Sequence, residues 1–100
     1  MVKNWFKDIE INGVLYTVKP SQRKNKKYDV FVSSYIDSEH KFLKYLLSYG
    51  DKRYQHYHDA FGFYKNLNHS DIKRRERYFK RHDQTDDVHS AKFWSNNFLW

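Results

Sequence analysis

The sequence predicts an α+β fold. A small antiparallel sheet, an N-terminal hairpin with one or two further strands, is covered by a basic amphipathic helix and an aromatic C-terminal segment. Three observations carry this. Asn12-Gly13 stands between two alternating apolar runs. The only stretch with helical charge patterning, "HSDIKRRERYFKRH" at 69–82, lies in the C-terminal half. The composition is rich in rings, with 9 Tyr, 8 Phe and 3 Trp in 100 residues.

Asn-Gly is the preferred pair for a two-residue type I′ turn, because both positions need positive φ. Residues 8–18 therefore read as a hairpin with Ile11 opposite Val14 and Ile9 opposite Tyr16. Those four share the core face, and Asp8, Glu10, Leu15 and Thr17 share the other. Pro20 ends the second strand because it lacks a ladder donor. "SQRKNKK" at 21–27 is a basic loop, and "YDVFV" at 28–32 alternates as a third strand. Two periods compete in residues 40–50. Phe42, Leu43, Leu46 and Leu47 form a helical stripe behind a Ser38 cap; Leu43, Tyr45, Leu47 and Tyr49 alternate as a strand. We favour the strand, since "YIDSEH" supplies the turn of a hairpin.

Residues 51–69 show no clear period, and their rings (Tyr54, Tyr57, Phe61, Phe63 and Tyr64) are expected on the sheet. Ser70 caps a helix that begins at Asp71, whose charge suits the positive helix N-terminus, as Lys80, Arg81 and His82 suit the other end. Ile72 and Phe79 form its apolar seam; Arg75, Tyr78 and His82 lie at the boundary. "DQTDDV" is an acidic loop. A short helix capped by Ser90 follows, with Phe93, Trp94, Phe98, Leu99 and Trp100 available for burial.

The length makes one domain, residues 1–100. A chain this short buries a modest fraction of its surface. Twenty aromatic residues still suffice for a core despite a mean hydropathy of -1.05. The absence of Cys excludes disulfides and Cys-based metal sites. No apolar run approaches the ~20 residues of a membrane span, and "MVKNWFKDIE" is not a signal peptide. The expected setting is soluble and intracellular, or inside a particle made in a cell. A net charge of +7 and a pI near 9.6 predict attraction to an anionic partner.

Candidate phosphate-binding residues are Lys24, Lys26 and Lys27 of the loop and Lys73, Arg74, Arg77, Lys80 and Arg81 of the helix. Lys and Arg neutralise phosphates and release counterions, which gives salt-dependent binding. No base-reading motif is present, so sequence specificity should be low. A purely solvated helix face, with Glu76–Lys80 as an ion pair four residues apart, is the competing reading. Arg75 borders the seam and is expected to be structural, paired with Asp59, Asp71 or the terminal carboxylate. Tyr28, Tyr35, Tyr54 and Tyr57 are stacking candidates, with core packing the competing role. His56, His58, Asp59, His69 and Asp71 could assemble a His/Asp metal site, though their spacing matches no metal motif, and His69 and Asp71, near basic residues, are the only candidates for a metal-dependent nuclease. No Cys nucleophile, P-loop or dinucleotide glycine pattern occurs. No cofactor is expected.

The ordered series "KKYDVFV", "YGDKRYQHYHD", "LNHSDIKRRERYFKRH" and "AKFWSNNFLW" resembles a family of small uncharacterised basic proteins encoded by large double-stranded DNA viruses and some phages. The matching positions are Lys26, Lys27, Tyr28, Gly50, Asp51, Tyr57, Asp59, His69, Asp71, Arg74, Arg75, Tyr78, Arg81, His82, Trp94, Ser95, Leu99 and Trp100. Tyr49 departs from the family's Phe before Gly, and His58 from its Lys before Asp. The resemblance covers roughly residues 20–100. It implies a viral origin and a strand at 42–49. It also implies one interlocked structural unit of His69, Asp71, Arg75, Tyr78, His82, Trp94 and Trp100, and it brings no activity. The partners expected are nucleic acid, DNA or RNA, or other virion proteins in a minor capsid, cement or packaging role.

Overall fold

The computed structural model describes residues 5–100. The reading of the N-terminus as no leader falls partly on residues 1–4, outside the described residues. Four strands form one antiparallel sheet in chain order: β1 (Lys7–Ile11), β2 (Val14–Pro20), β3 (Lys26–Tyr35) and β4 (Lys41–Asp51). Two helices follow, α1 (Ile72–Arg81) and α2 (Ala91–Phe98).

The hairpin register is the expected one, with Ile9 opposite Tyr16 and Ile11 opposite Val14. Asn12 and Gly13 take φ of 53° and 81°, as a type I′ turn requires. β3 is longer than its apolar core because both ends pair with β4, which settles residues 41–51 as a strand. The register shifts between Val30 and Phe31, where the extra residue on β4 is Leu46.

Tyr16, Val18, Tyr28, Val30, Leu47 and Tyr49 line the buried face, and Trp94 and Leu99 close over it. Ser90 starts α2 by accepting the Phe93 N–H at 3.2 Å. That places Trp94 edge-on to Tyr16, ring centres 5.4 Å apart, with its indole N–H donated to the Val88 carbonyl at 2.9 Å. α2 therefore lies directly on the sheet, and α1 reaches it through the C-terminal residues. Trp100 stacks parallel on Tyr78 at 4.3 Å, and the Tyr78 hydroxyl donates to buried Asn96 at 2.8 Å.

Two expectations about α1 are corrected. Asp71, not Ser70, is the cap: its Oδ1 accepts the Lys73 and Arg74 N–H groups at 2.9 and 3.3 Å, while Ser70 turns left-handed at φ 55°. Ile72 is 60% exposed and forms no seam. The docking stripe is instead Arg75, Tyr78 and His82, spaced three and four apart, because the surface it meets is an indole ring that suits planar side chains.

The long connection 51–69 is held by backbone bonds rather than by regular structure. A single 3-10 turn spans Lys65–Leu67. The His56 N–H donates to Leu67, the His69 N–H to His56, the His58 N–H to Leu99 and the Ala60 N–H to Phe98, all between 2.8 and 3.1 Å. Its rings do not behave alike: Phe61, Phe63 and Tyr64 pack on the core, whereas Tyr54 points to solvent.

Candidate nucleic-acid interface

The turn between β2 and β3 is ordered. The Ser21 N–H donates to the Lys27 carbonyl at 2.9 Å, and the Lys26 N–H to Arg23 at 3.2 Å. Asn25 supplies the left-handed residue, φ 63°. Arg23, Lys24 and Lys26 consequently stand exposed at one end of the sheet. The Asn25 carbonyl accepts the Lys52 N–H at 2.9 Å, which brings Lys52 and Arg53 beside them. Two residues on, Gln55 Oε1 accepts from Arg74 Nη1 at 2.9 Å. Direct contacts thus run from the 21–27 turn through 51–55 to the start of α1.

On α1, Lys73, Arg77, Lys80 and Arg81 are exposed, and none of them forms an ion pair within 4.0 Å among the described residues. The Glu76–Lys80 pair of the competing reading does not close among the described residues. Arg74, Arg77 and Arg81 follow one another at three- and four-residue spacing, so the cationic row continues along the helix.

Lys27 does not belong to this surface. It is 2% exposed, and its Nζ lies 2.8 Å from His56 Nδ1. Burial lowers its pKa from 10.5 to about 8, against the opposing charges of Asp59 and Asp51. The proton positions around it follow from the bonding. Asn68 Oδ1 accepts the Asp59 N–H at 2.8 Å and so is the oxygen; His56 Nε2 must then donate to it at 2.7 Å. Nδ1 is left as a lone pair that accepts from Lys27. Burial and the Lys27 charge together hold His56 below its ordinary pKa.

Asp59 sits in the same buried cluster. Its carboxylate accepts the Tyr28 hydroxyl and the N–H groups of Phe61 and Tyr64, the latter two at 2.9 Å. The sequence singled out Lys27, His56 and Asp59 for a surface or a metal. Their true partners, Asn68 and Tyr28, are distant in sequence and carry no local signal.

The remaining sequence candidates are placed as follows. Arg75 Nε donates to the Trp100 backbone oxygen at 2.7 Å, and its guanidinium lies 5.2 Å over Tyr57 and 5.3 Å over Phe79. Its partner is thus Trp100 rather than Asp59 or Asp71. His69 Nδ1 accepts the Asp71 N–H at 2.9 Å, and its ring packs 5.2 Å from Trp100. Of the four stacking tyrosines, Tyr28 is core and Tyr57 is half-covered by Arg75; Tyr35 and Tyr54 are exposed. No three His, Asp or Glu side chains converge as metal ligands would among the described residues, so His56, His58, Asp59, His69 and Asp71 are not brought together as one ligand set.

Comparison of the chain with protein-family models, with curated proteins and with solved structures gives no match. No helix among the described residues is long and apolar enough to cross a membrane.

Proposed function

We propose that the protein is a non-enzymatic module that binds nucleic acid through its phosphates with little sequence specificity, in a cell infected by a virus or in its particle. The supporting observation is the contact path from Asn25 through Lys52 to Gln55 and Arg74. It links Arg23, Lys24, Lys26, Lys52, Arg53, Arg74 and the α1 row as one cationic ridge; among the described residues, the ion pairs made with it are those of Asp51 with Arg53 and Asp29 with Arg23. Lys24, Lys26, Lys52, Lys73, Arg77, Lys80 and Arg81 form no ion pair among the described residues, and so are available to phosphates without breaking one. The test is a titration of labelled duplex and single-stranded DNA at several salt concentrations. The log of the affinity should fall against log salt with a slope of about −0.9 per phosphate contacted on duplex. Absence of binding near physiological salt contradicts the proposal.

A second reading, a virion assembly protein, is favoured by a different observation. The β1–β2 and β3–β4 turns lie at the same end of the sheet, where Val14, Tyr35, Ile36 and Phe42 are exposed, Ile36 by 72%. Apolar clusters of this kind mark contact surfaces.

A further inference from the structure

The sheet face opposite the core carries a second feature. Directly paired residues on neighbouring strands share a face. Asp8, Thr17, Phe31 and Tyr45 therefore form one row, and Lys19, Asp29 and Ser48 the next, both turned away from Trp94. The helix that lies on the sheet, α2, covers the opposite side.

This face is built in detail. Phe31 and Tyr45 meet edge to face at 5.9 Å. The Arg23 guanidinium lies 4.1 Å over the Tyr45 ring and 3.8 Å from Asp29, and its side chain remains 56% exposed. Lys19 Nζ stands 5.7 Å over Phe31. The Tyr45 hydroxyl bonds Ser48 at 2.8 Å, and Ser48 donates to Asp29 at 2.5 Å, so the ring and the carboxylate that steers Arg23 are fixed together. Tyr45 is 42% exposed.

We infer that the Arg23–Tyr45 stack and the Phe31 ring beside it are a platform for the unpaired bases of a single strand. The inference rests on the phosphate-binding reading above and specifies which form of nucleic acid the site takes. Two physical arguments choose this occupant. Bases stack on aromatic rings and on guanidinium planes, and every base has such a face. The cations that crown the rings, and Lys24, Lys26, Lys52 and Arg53 at the adjoining end, suit a phosphate backbone. An apolar protein surface would have to strip water from each of them. A duplex keeps its bases stacked internally and meets the cationic ridge alone.

The experiment measures anisotropy of labelled twelve-residue oligothymidylate and of a twelve-pair duplex with wild type, Arg23→Lys, Tyr45→Leu and Phe31→Leu. Each variant keeps the charge or the apolar volume, and thermal melting verifies that each is folded. Oligothymidylate binding should weaken by about fivefold to a hundredfold in each variant, the range of one lost base stack, with duplex binding unchanged in Tyr45→Leu and Phe31→Leu, whose residues lie outside the cationic ridge. Equal loss on both probes, no loss on either, or a loss confined to a Tyr54→Ala control overturns the platform while leaving phosphate binding intact. Failure of wild type to bind either probe overturns the phosphate reading and the platform with it.

Discussion

Lys27 and His56 meet inside the protein, Nζ 2.8 Å from Nδ1, and neither is in contact with solvent to any useful extent. The pair sets the pH response of the fold. Between pH 8 and 10.5 the unfolded chain keeps a proton on Lys27 that the folded chain has lost, so stability rises with pH there. His56, held below 6.5, acts in the same sense: acidification through 6.5 protonates the unfolded imidazole first and lowers stability. Tyr28 and Tyr49, raised above 10.0 by burial first, act oppositely, since above that pH only the unfolded chain ionises. The melting temperature should therefore climb from about pH 6 to a maximum between about 8 and 10, then fall. Lys27→Met should flatten the climb above pH 8. A wild-type melting temperature that is level across this range contradicts the assignment.

Asp59 is the acceptor on which the connection 51–69 closes. Asp59→Ala leaves the Tyr28 hydroxyl and two N–H groups buried without partners and removes the carboxylate facing Lys27. Orphaned buried donors cost about 1–3 kcal/mol each, and the losses within one cluster are not additive. Denaturant titration should show a loss of at least about 3 kcal/mol. A loss below about 1 kcal/mol would mean that the cluster is hydrated.

Gly50 is placed where a side chain does not fit. Its φ is 76°, and an added Cβ would stand 2.9 Å from Lys27 Cδ and 3.0 Å from Leu99 Cδ1. Gly50→Ala combines left-handed strain with crowding of two buried side chains and should destabilise by about 1–3 kcal/mol, read from the urea midpoint. An unchanged midpoint would show that the Lys27 stem can move aside.

Much of this architecture is written locally. Asn12-Gly13 dictates the hairpin through backbone geometry, and the alternation of Leu43, Tyr45, Leu47 and Tyr49 reports a strand, although the bulge at Leu46 leaves only Leu47 and Tyr49 on the core side and turns Tyr45 to the open face. What is not local was not legible. Ile72 looks like a seam residue by periodicity, but the surface α1 meets is Trp100, which selects Tyr78. Lys27 looks like its neighbours Lys24 and Lys26, because nothing beside it announces His56, 29 residues away. By alternation Phe31 falls on the Asp29 side of its strand; its place in a ring cluster on the open face appears only once Tyr45 and Arg23 are set beside it.

The attachment of α1 gives a test of that non-local packing. Trp100→Ala removes the ring stacked on Tyr78 and packed by His69. It should cost about 3 kcal/mol, by analogy with other large aromatic truncations. The helical signal in circular dichroism should fray before the sheet melts. A single unchanged transition would place the docking energy of α1 elsewhere.

The proposed contact between the α1 cations and phosphates is tested by the salt dependence of duplex binding in the Lys73→Gln, Arg77→Gln, Lys80→Gln triple variant. All three side chains are exposed, so the fold should be unaffected. The slope of log affinity against log salt should become shallower than in wild type by about 2 to 3, close to 0.9 for each phosphate contact removed. A slope identical to that of wild type, in a variant that melts normally, would contradict phosphate contact by these side chains and make this face a solvated surface.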